Sequence, residues 1–386
     1  MVTSQKILEK EMGNRGSKSS KGNTLFVKEQ RVDGSYIECK STRSVLRYTL
    51  RGFERSTWAG IPSNQIINKK LYSTTKISKN ILESQLYTNN DKNFILNPWF
   101  VSGFIDGDGS FSVSIAKKKS GTGWKIQPIF SIGLDTKDLD LLIQIKTYFK
   151  AGKIYTSKRG VVYYTVSSTK DIIKYILPHF DKYPLFSLKL KDYLVFKKIV
   201  LLMGEHNSLP GLFKIFSLRA ILNKGLPYRV KTEFPYINPA TIPEFKTEDV
   251  LNPNWLSGFI TAEGSFFISL YPNKGRKAEY AVSLIFSLSQ HIKDLNLLEL
   301  IVKYLGCGTV RKSNSRESAE IVITKSVDIH LKLIPFLSKY PLSGVKSLDL
   351  EKFKKVSLLI ENKAHLTSEG IVLIKAIKDG MYNREL

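Results

Sequence analysis

Apolar and polar residues alternate strictly through Ser110, Phe111, Ser112, Val113, Ser114 and Ile115. That two-residue period predicts a strand with one face on a core and one toward solvent. Ser265, Phe266, Phe267, Ile268, Ser269 and Leu270 give a second such stretch. Each follows a short apolar segment that begins at Asn97-Pro98 or Asn252-Pro253 and stops at Gly109 or Gly264. Asparagine caps helix starts, proline is tolerated in the first turn and glycine marks ends, so both segments read as helices. Return strands are predicted over 125–132 and 280–288, then helices over 138–149 and 294–305 with apolar residues at i, i+3, i+4 spacing. Gly152 and Gly308 precede a second hairpin pair. Helical stretches at 171–180 with 189–203, and at 327–337 with 348–362, close each copy. The order is α-β-β-α-β-β-α, twice, an α+β chain.

The two copies are one duplicated unit. Ser102-Gly103-Phe104-Ile105 recurs as Ser257-Gly258-Phe259-Ile260, Lys137-Asp138-Leu139 as Lys293-Asp294-Leu295, and Lys182-Tyr183-Pro184-Leu185 as Lys339-Tyr340-Pro341-Leu342. The offset stays between 155 and 157 residues, so the copies differ by small loop insertions. The expected organisation is a basic, partly disordered N-terminal extension (1–92), a first unit (93–223), an extended proline-rich linker (224–251) and a second unit (252–386). The linker expectation rests on Pro227, Pro235, Pro239 and Pro243, which oppose helix and ladder pairing.

Charge narrows the partner. Among 386 residues, 59 Lys and Arg stand against 34 Asp and Glu, a net charge of +25. An excess of that size predicts a polyanion: nucleic acid first, an anionic membrane second. No apolar run reaches the ~20 residues of a membrane span. Cys39 and Cys307 are too few for a disulfide framework or a cysteine-rich zinc site. The five histidines lack metal-ligand spacing, and no P-loop is present. The abundance of Lys, Ile, Asn, Phe and Tyr, residues of AT-rich codons, points to an organellar genome. Glu9 and Glu11 sit where a cleavable presequence avoids acids.

The chemistry centres on Val101–Gly109 and Leu256–Gly264. Gly103 and Gly107, and Gly258 and Ala262, are small residues four apart, hence on one helix face. Such faces let two backbones approach closely, which predicts that the two helices form the seam between the halves. An acid follows each pair, Asp108 and Glu263, at a helix C-terminus that disfavours negative charge. Two acids brought together there repel each other. Divalent cations offset both costs, and hard ions such as Mg²⁺ take carboxylate and phosphate oxygens. The reaction implied is phosphodiester hydrolysis. In one copy an acid-glycine pair is ordinary helix-end punctuation; two copies in register point to function.

These residues resemble the LAGLIDADG homing endonuclease family in its single-chain, two-motif form, over about residue 93 to the C-terminus. The likeness is to fungal mitochondrial intron-encoded members, which places the protein in the mitochondrion. The resemblance implies motif helices at a pseudo-twofold interface within a monomer, and two four-stranded antiparallel sheets forming a saddle over double-stranded DNA. It makes Asp108 and Glu263 the metal-binding catalytic acids and implies cleavage of both strands of a long, asymmetric site. Lys189 and Lys346, at equivalent places after the Lys-Tyr-Pro-Leu block, are expected as catalytic lysines. The second motif departs from the pattern with Thr261 where the first has Asp106.

DNA-reading candidates on the polar strand faces and hairpin tips are Ser110, Ser112, Ser114, Lys117, Lys125, Gln127, Lys158 and Arg159 in the first half. In the second they are Ser269, Tyr271, Asn273, Arg276, Ser283 and Arg311. Arg and Gln suit base edges in the major groove, and tip lysines suit phosphates. Two other functions fit a basic surface: a maturase binding intron RNA on the same fold, and a catalytically idle DNA-binding module. Only the nuclease requires both acids.

Overall fold

The computed structural model describes residues 96–119, 123–241, 251–276 and 278–382, together with two strands nearer the N-terminus. Those strands, β1 (Leu25–Gln30) and β2 (Tyr36–Ser41), pair antiparallel with Leu25 opposite Ser41. They belong to a unit, residues 1–72, separate from that of residues 73–386. The rest of the expected extension, 1–92, lies outside the described residues.

The first half runs α1 (Pro98–Asp108), β3 (Gly109–Lys117), β4 (Trp124–Asp135), α2 (Leu139–Phe149), β5 (Lys153–Thr156) and β6 (Val161–Val166). Then come α3 (Thr169–Asp171), a π-helical stretch (Ile172–Ile176), α4 (Leu177–Lys182), α5 (Lys189–Leu201), α6 (Leu209–Ala220) and α7 (Tyr228–Glu233). The second half runs α8 (Pro253–Glu263), β7 (Gly264–Pro272), β8 (Tyr280–His291), α9 (Leu295–Leu305), β9 (Thr309–Lys312) and β10 (Ser318–Ile323). It ends with α10 (Ser326–Asp328), a second π-helical stretch (Ile329–Leu333), α11 (Ile334–Lys339), α12 (Val345–Glu361) and α13 (Ser368–Tyr382). The sheets are antiparallel, in the orders β3-β4-β6-β5 and β7-β8-β10-β9. The α+β, twofold-repeated architecture is therefore the one the sequence predicts.

Alternation decides which sheet face is buried. Phe111, Val113 and Ile115 of β3 point into a core with Phe130 and Ile132 of β4, against α2 and α5. Phe111 lies 5.3–5.5 Å, ring to ring, from Phe130, Phe180, Tyr193 and Phe196. Phe266, Phe286 and Phe353 repeat the arrangement in the second half.

Asparagine caps both motif helices: Asn97 Oδ1 accepts from the Trp99 amide and Asn252 Oδ1 from the Asn254 amide, each at 2.9 Å. The terminal glycines serve differently from the usual left-handed cap. Gly109 has φ −77° and Gly264 φ −69°. A Cβ on either would lie 2.6–2.7 Å from the carbonyl oxygen of Ile105 or Ile260, so glycine is needed for room.

Three expectations change. The predicted 171–180 and 327–337 helices each contain a π-helical widening, because Pro178 and Pro335 lack the amide that the regular ladder needs. The 224–251 segment is not wholly extended. Pro227 and Pro235 bracket α7 rather than break it, and α7 lodges Val230 in the first core with Phe234 5.4 Å from Phe216. Residues 242–250 of that segment lie outside the described residues. The helices α6 and α13 were not predicted.

The motif helices α1 and α8 pack along each other. A Cβ on Gly103 would sit 1.8 Å from the Trp255 carbonyl oxygen, and one on Gly258 2.0 Å from that of Phe100. Gly103→Ala and Gly258→Ala are each expected to cost about 3 kcal/mol in chemical denaturation by forcing the helices apart. Gly380, with open space around its Cα, should gain ~0.5–1 kcal/mol on substitution by alanine.

Candidate active site

The close approach of α1 and α8 brings their last residues, Asp108 and Glu263, together. Next to them, the Cβ that Gly107 lacks would fall 2.3 Å from Ala262 Cβ and 3.0 Å from Glu263 Cγ. Burial, and then the charge of Glu263, raise the Asp108 carboxyl to about 7, while Lys189 and Lys346 oppose the rise. Neither carboxylate takes a hydrogen bond or ion pair among the described residues. Two half-buried acids without partners form a donor set suited to a hard divalent cation. Among the described residues no group of three or more His, Cys, Asp or Glu is placed to hold a metal ion by itself. A cation held here therefore needs water and phosphate oxygens to complete its shell.

Each acid has a lysine beneath it. Lys189 opens α5 and its Nζ donates to the carbonyl oxygens of Gly107 (2.5 Å) and Ile105 (3.2 Å). Lys346, in the first turn of α12, donates to that of Ala262 (2.8 Å). Both ammonium groups thus bond carbonyls at a motif-helix C-terminus, where positive charge is favoured; that of Ile105 also accepts from the Gly109 amide. Desolvation lowers both lysines below the ordinary value, and the surrounding acids counter it.

Asp106 is deeply buried. Its carboxylate accepts from the Phe186 amide (2.6 Å), the Ser187 amide (3.1 Å), the Ser187 hydroxyl and, across the seam, Trp255 Nε1 (3.2 Å). It anchors the chain leading into α5, and hence Lys189. Desolvation raises its pKa and those hydrogen bonds oppose the rise. In the second half Thr261 merely returns its hydroxyl to the Ser257 carbonyl oxygen (2.9 Å). The two tryptophans of the repeat are also not equivalent: by helix register Trp255 matches Phe100, and Trp99 matches Asn254.

A second buried network fixes a histidine tautomer. Ser102 Oγ donates to the Tyr183 carbonyl oxygen at 2.7 Å, so His179 Nε2, 3.0 Å away, must donate to Ser102 Oγ. His179 Nδ1 then accepts from the Tyr148 hydroxyl at 3.0 Å. Burial lowers His179 to about 3, so it stays neutral and structural. Phe336 occupies its place in the other half.

Comparison with known proteins agrees with this geometry. The family described as LAGLIDADG endonuclease matches residues 101–200 and 256–357, one stretch per half. The chain belongs to the LAGLIDADG endonuclease family. The probable intron-encoded endonuclease 3 of Neurospora crassa is 38% identical over 390 residues, which cover 96% of this chain and 70% of that protein. An uncharacterized 50.9 kDa protein in ND4 intron 1 of Podospora anserina is 36% identical over 198 residues, 47% of this chain and 41% of its own. Among solved structures, the I-SmaMI LAGLIDADG homing endonuclease bound to cleaved DNA superposes with a TM-score of 0.72 at 41% identity, covering 74% of this chain and 97% of that one. I-SmaMI bound to uncleaved DNA in the presence of calcium ions gives the same score and identity, covering 74% and 99%. The chain is a DNA-cleaving enzyme of the two-motif LAGLIDADG kind.

In this LAGLIDADG protein the helices of the described residues pack on the apolar face of each sheet, leaving the polar face open among those residues. On the first, Ser110, Ser112 and Ser114 stand opposite Ser131, Ile129 and Gln127, and Ala116 opposite Lys125. Tyr155 and Tyr163 stack at 5.5 Å farther out on that face. On the second, Ser265, Phe267 and Ser269 stand opposite Ser287, Ile285 and Ser283, with Tyr271 beyond, and Arg311 pairs with Glu320. Lys158, Arg159 and Arg276 are exposed at hairpin tips. The open faces thus gather nearly all the residues predicted to meet DNA.

Lys117 lies apart from the open face. Its parity on β3 is that of Phe111, Val113 and Ile115, so it leaves the sheet on the core side. Its Nζ pairs with Glu233 of α7 at 2.7 Å and lies 5.7 Å from the Trp124 ring. Asn273 has a turn role as well, its Oδ1 accepting from the Gly275 amide (3.1 Å). Sequence reasoning missed Tyr155, Tyr163 and Phe267; their alternation with core residues was the available signal.

Lys158→Ala and Arg159→Ala are each expected to lower the salt slope of DNA affinity by about 0.9. Lys117→Ala should leave it unchanged in the same titration. Asp106→Ala strands four donors and should cost about 4 kcal/mol in denaturation, whereas Asp106→Asn keeps acceptor oxygen and should cost less.

Proposed function

We propose that this endonuclease cuts both strands of a long, asymmetric duplex site with Asp108 and Glu263 as the acids that hold Mg²⁺. The observation that carries this reading is the pair of partnerless carboxylates at adjoining helix ends, set between two open, basic-rimmed sheet faces. A bound divalent cation supplies an activated water and stabilisation of the leaving oxygen. The chain's own groups do the rest. Arg, Lys and hairpin-tip residues hold the phosphates, and Gln127, Ser283 and Arg311 present hydrogen-bonding groups to base edges. Lys189 and Lys346 keep positive charge beside the acids, near where negative charge would develop on the phosphoryl and leaving oxygens. One chain supplies both halves, so the protein acts as a monomer. The faces differ, the first rich in serine and tyrosine and the second carrying Phe267 and Ile285, so the half-sites read differ too. The composition and the intron-encoded relatives support a mitochondrial, intron-homing role.

Duplex DNA spanning the intronless insertion junction tests this. We expect Mg²⁺-dependent double-strand breaks, reduced at least about a hundredfold by Asp108→Asn or Glu263→Gln. No cutting, together with tight binding of the intron transcript, would instead make the protein a maturase.

A binding test needs no turnover. Between pH 3.8 and about 7 the folded state holds the Asp108 proton more tightly than the unfolded state does, so this group's contribution to stability falls as pH rises through that window. Mg²⁺ competes with that proton. It should therefore raise the thermal midpoint by a few degrees at pH 8 and by less at pH 5.5, with the gain at pH 8 abolished in Asp108→Asn.

A further inference from the structure

The repeated Lys-Asp-Leu corner follows the long second strand of each sheet and opens α2 or α9. Asp138 and Asp294 stand at the N-cap positions of those helices, where a carboxylate ordinarily accepts from the helix's own first amides. Neither does. Asp138 Oδ1 instead accepts from the Val345 amide at 2.7 Å, and Asp294 Oδ1 from the Leu188 amide at 2.8 Å. Both bonds cross from one half to the other, and the two are related by the repeat. Val345 opens α12 immediately before Lys346, and Leu188 precedes α5 immediately before Lys189. Gly344 leaves room for the first bond, since a Cβ there would meet Asp138 Oδ1 at 2.3 Å.

We propose that Asp138 and Asp294 are positioning residues that wire the halves crosswise, the corner of each half fixing the active-site lysine of the other. A carboxylate at a helix N-terminus makes a charge-assisted bond that holds the helix in place. Lys346 and Lys189 leave their helices one residue later, so the reach of each ammonium group to its motif-helix carbonyl depends on where that helix starts. The strands leading into these corners, β4 and β8, carry open-face residues. Seating one half-site therefore bears on the active-site lysine of the other half. This rests on the reading above for the lysines' part in the reaction.

The full-length chain is given a duplex that the wild type cuts, recovered from a randomised library, with each strand carrying its own label. Asp138→Ala is expected to slow one strand about tenfold relative to the other, and Asp294→Ala to slow the opposite strand. Asp138→Asn and Asp294→Asn keep an accepting oxygen and should restore the wild-type ratio. Bias toward the same strand in both alanine variants, or an unchanged ratio, overturns the proposal. Amide hydrogen exchange gives a second readout independent of cleavage. Asp138→Ala should speed exchange at 343–348 and Asp294→Ala at 186–191, while the starts of α2 and α9 stay protected. Faster exchange at α2 or α9 instead overturns the crossed anchoring. If alanine variants do not fold, Asp138→Ser and Asp294→Ser, too short to reach across, take their place. A wild type that cuts no duplex defeats the endonuclease reading, and the exchange result then decides the anchoring alone.

Discussion

The approach of two helix backbones at the seam is the constraint on which everything else depends. Gly103 lies against the Trp255 carbonyl and Gly258 against that of Phe100, with no room for a side chain at either place. Only at that separation do the helix ends bring Asp108 and Glu263 within each other's field. Only there does Trp255 of one half reach the Asp106 carboxylate of the other. The two sheets are fixed by the same contact, because β3 and β7 leave directly from the ends of α1 and α8.

A seam so rich in charge is stable because nearly every buried charge has a dedicated partner. Asp106 takes amides and an indole, Lys189 and Lys346 take helix-end carbonyls, and Asp294 takes the Leu188 amide. Buried charges left unpaired are strongly destabilising, and these are paired almost wholly with backbone groups, which no rotamer change can withdraw. Asp108 and Glu263 are the exception. Their unsatisfied state is an electrostatic cost that a divalent cation would relieve.

The pseudo-twofold symmetry is broken where burial is deepest. Asp106 faces Thr261 in register, His179 faces Phe336, and Ser187 faces Gly344. Both motif helices are tied by a serine hydroxyl to a backbone carbonyl, Ser102 to Tyr183 and Ser257 to Pro341, but only the first adds the Asp106 and His179 networks; where the first has His179 the second has Phe336, 5.2 Å from the Tyr340 ring. The open sheet faces are unequal as well. A chain with two such halves is built to meet a target whose two sides differ.

The duplicated motif, the strand alternation, the acid positions and the basic excess are all legible in the sequence, because each is a local pattern or a sum over residues. Small residues four apart foretell a close helix pair, and register alone carries Asp108 to Glu263 and Lys189 to Lys346. What the sequence leaves open depends on contacts between distant segments. Lys117 belongs with the tip lysines by position, but its parity on β3 and the arrival of Glu233 from α7 turn it to the other face. Prolines in the linker oppose a helix taken one by one, yet α7 forms between them because a core position awaits Val230. Asp138 and Asp294 look like caps of their own helices. Only the tertiary structure hands each one to the opposite half, because a hydrogen bond goes to whichever amide folding brings within reach.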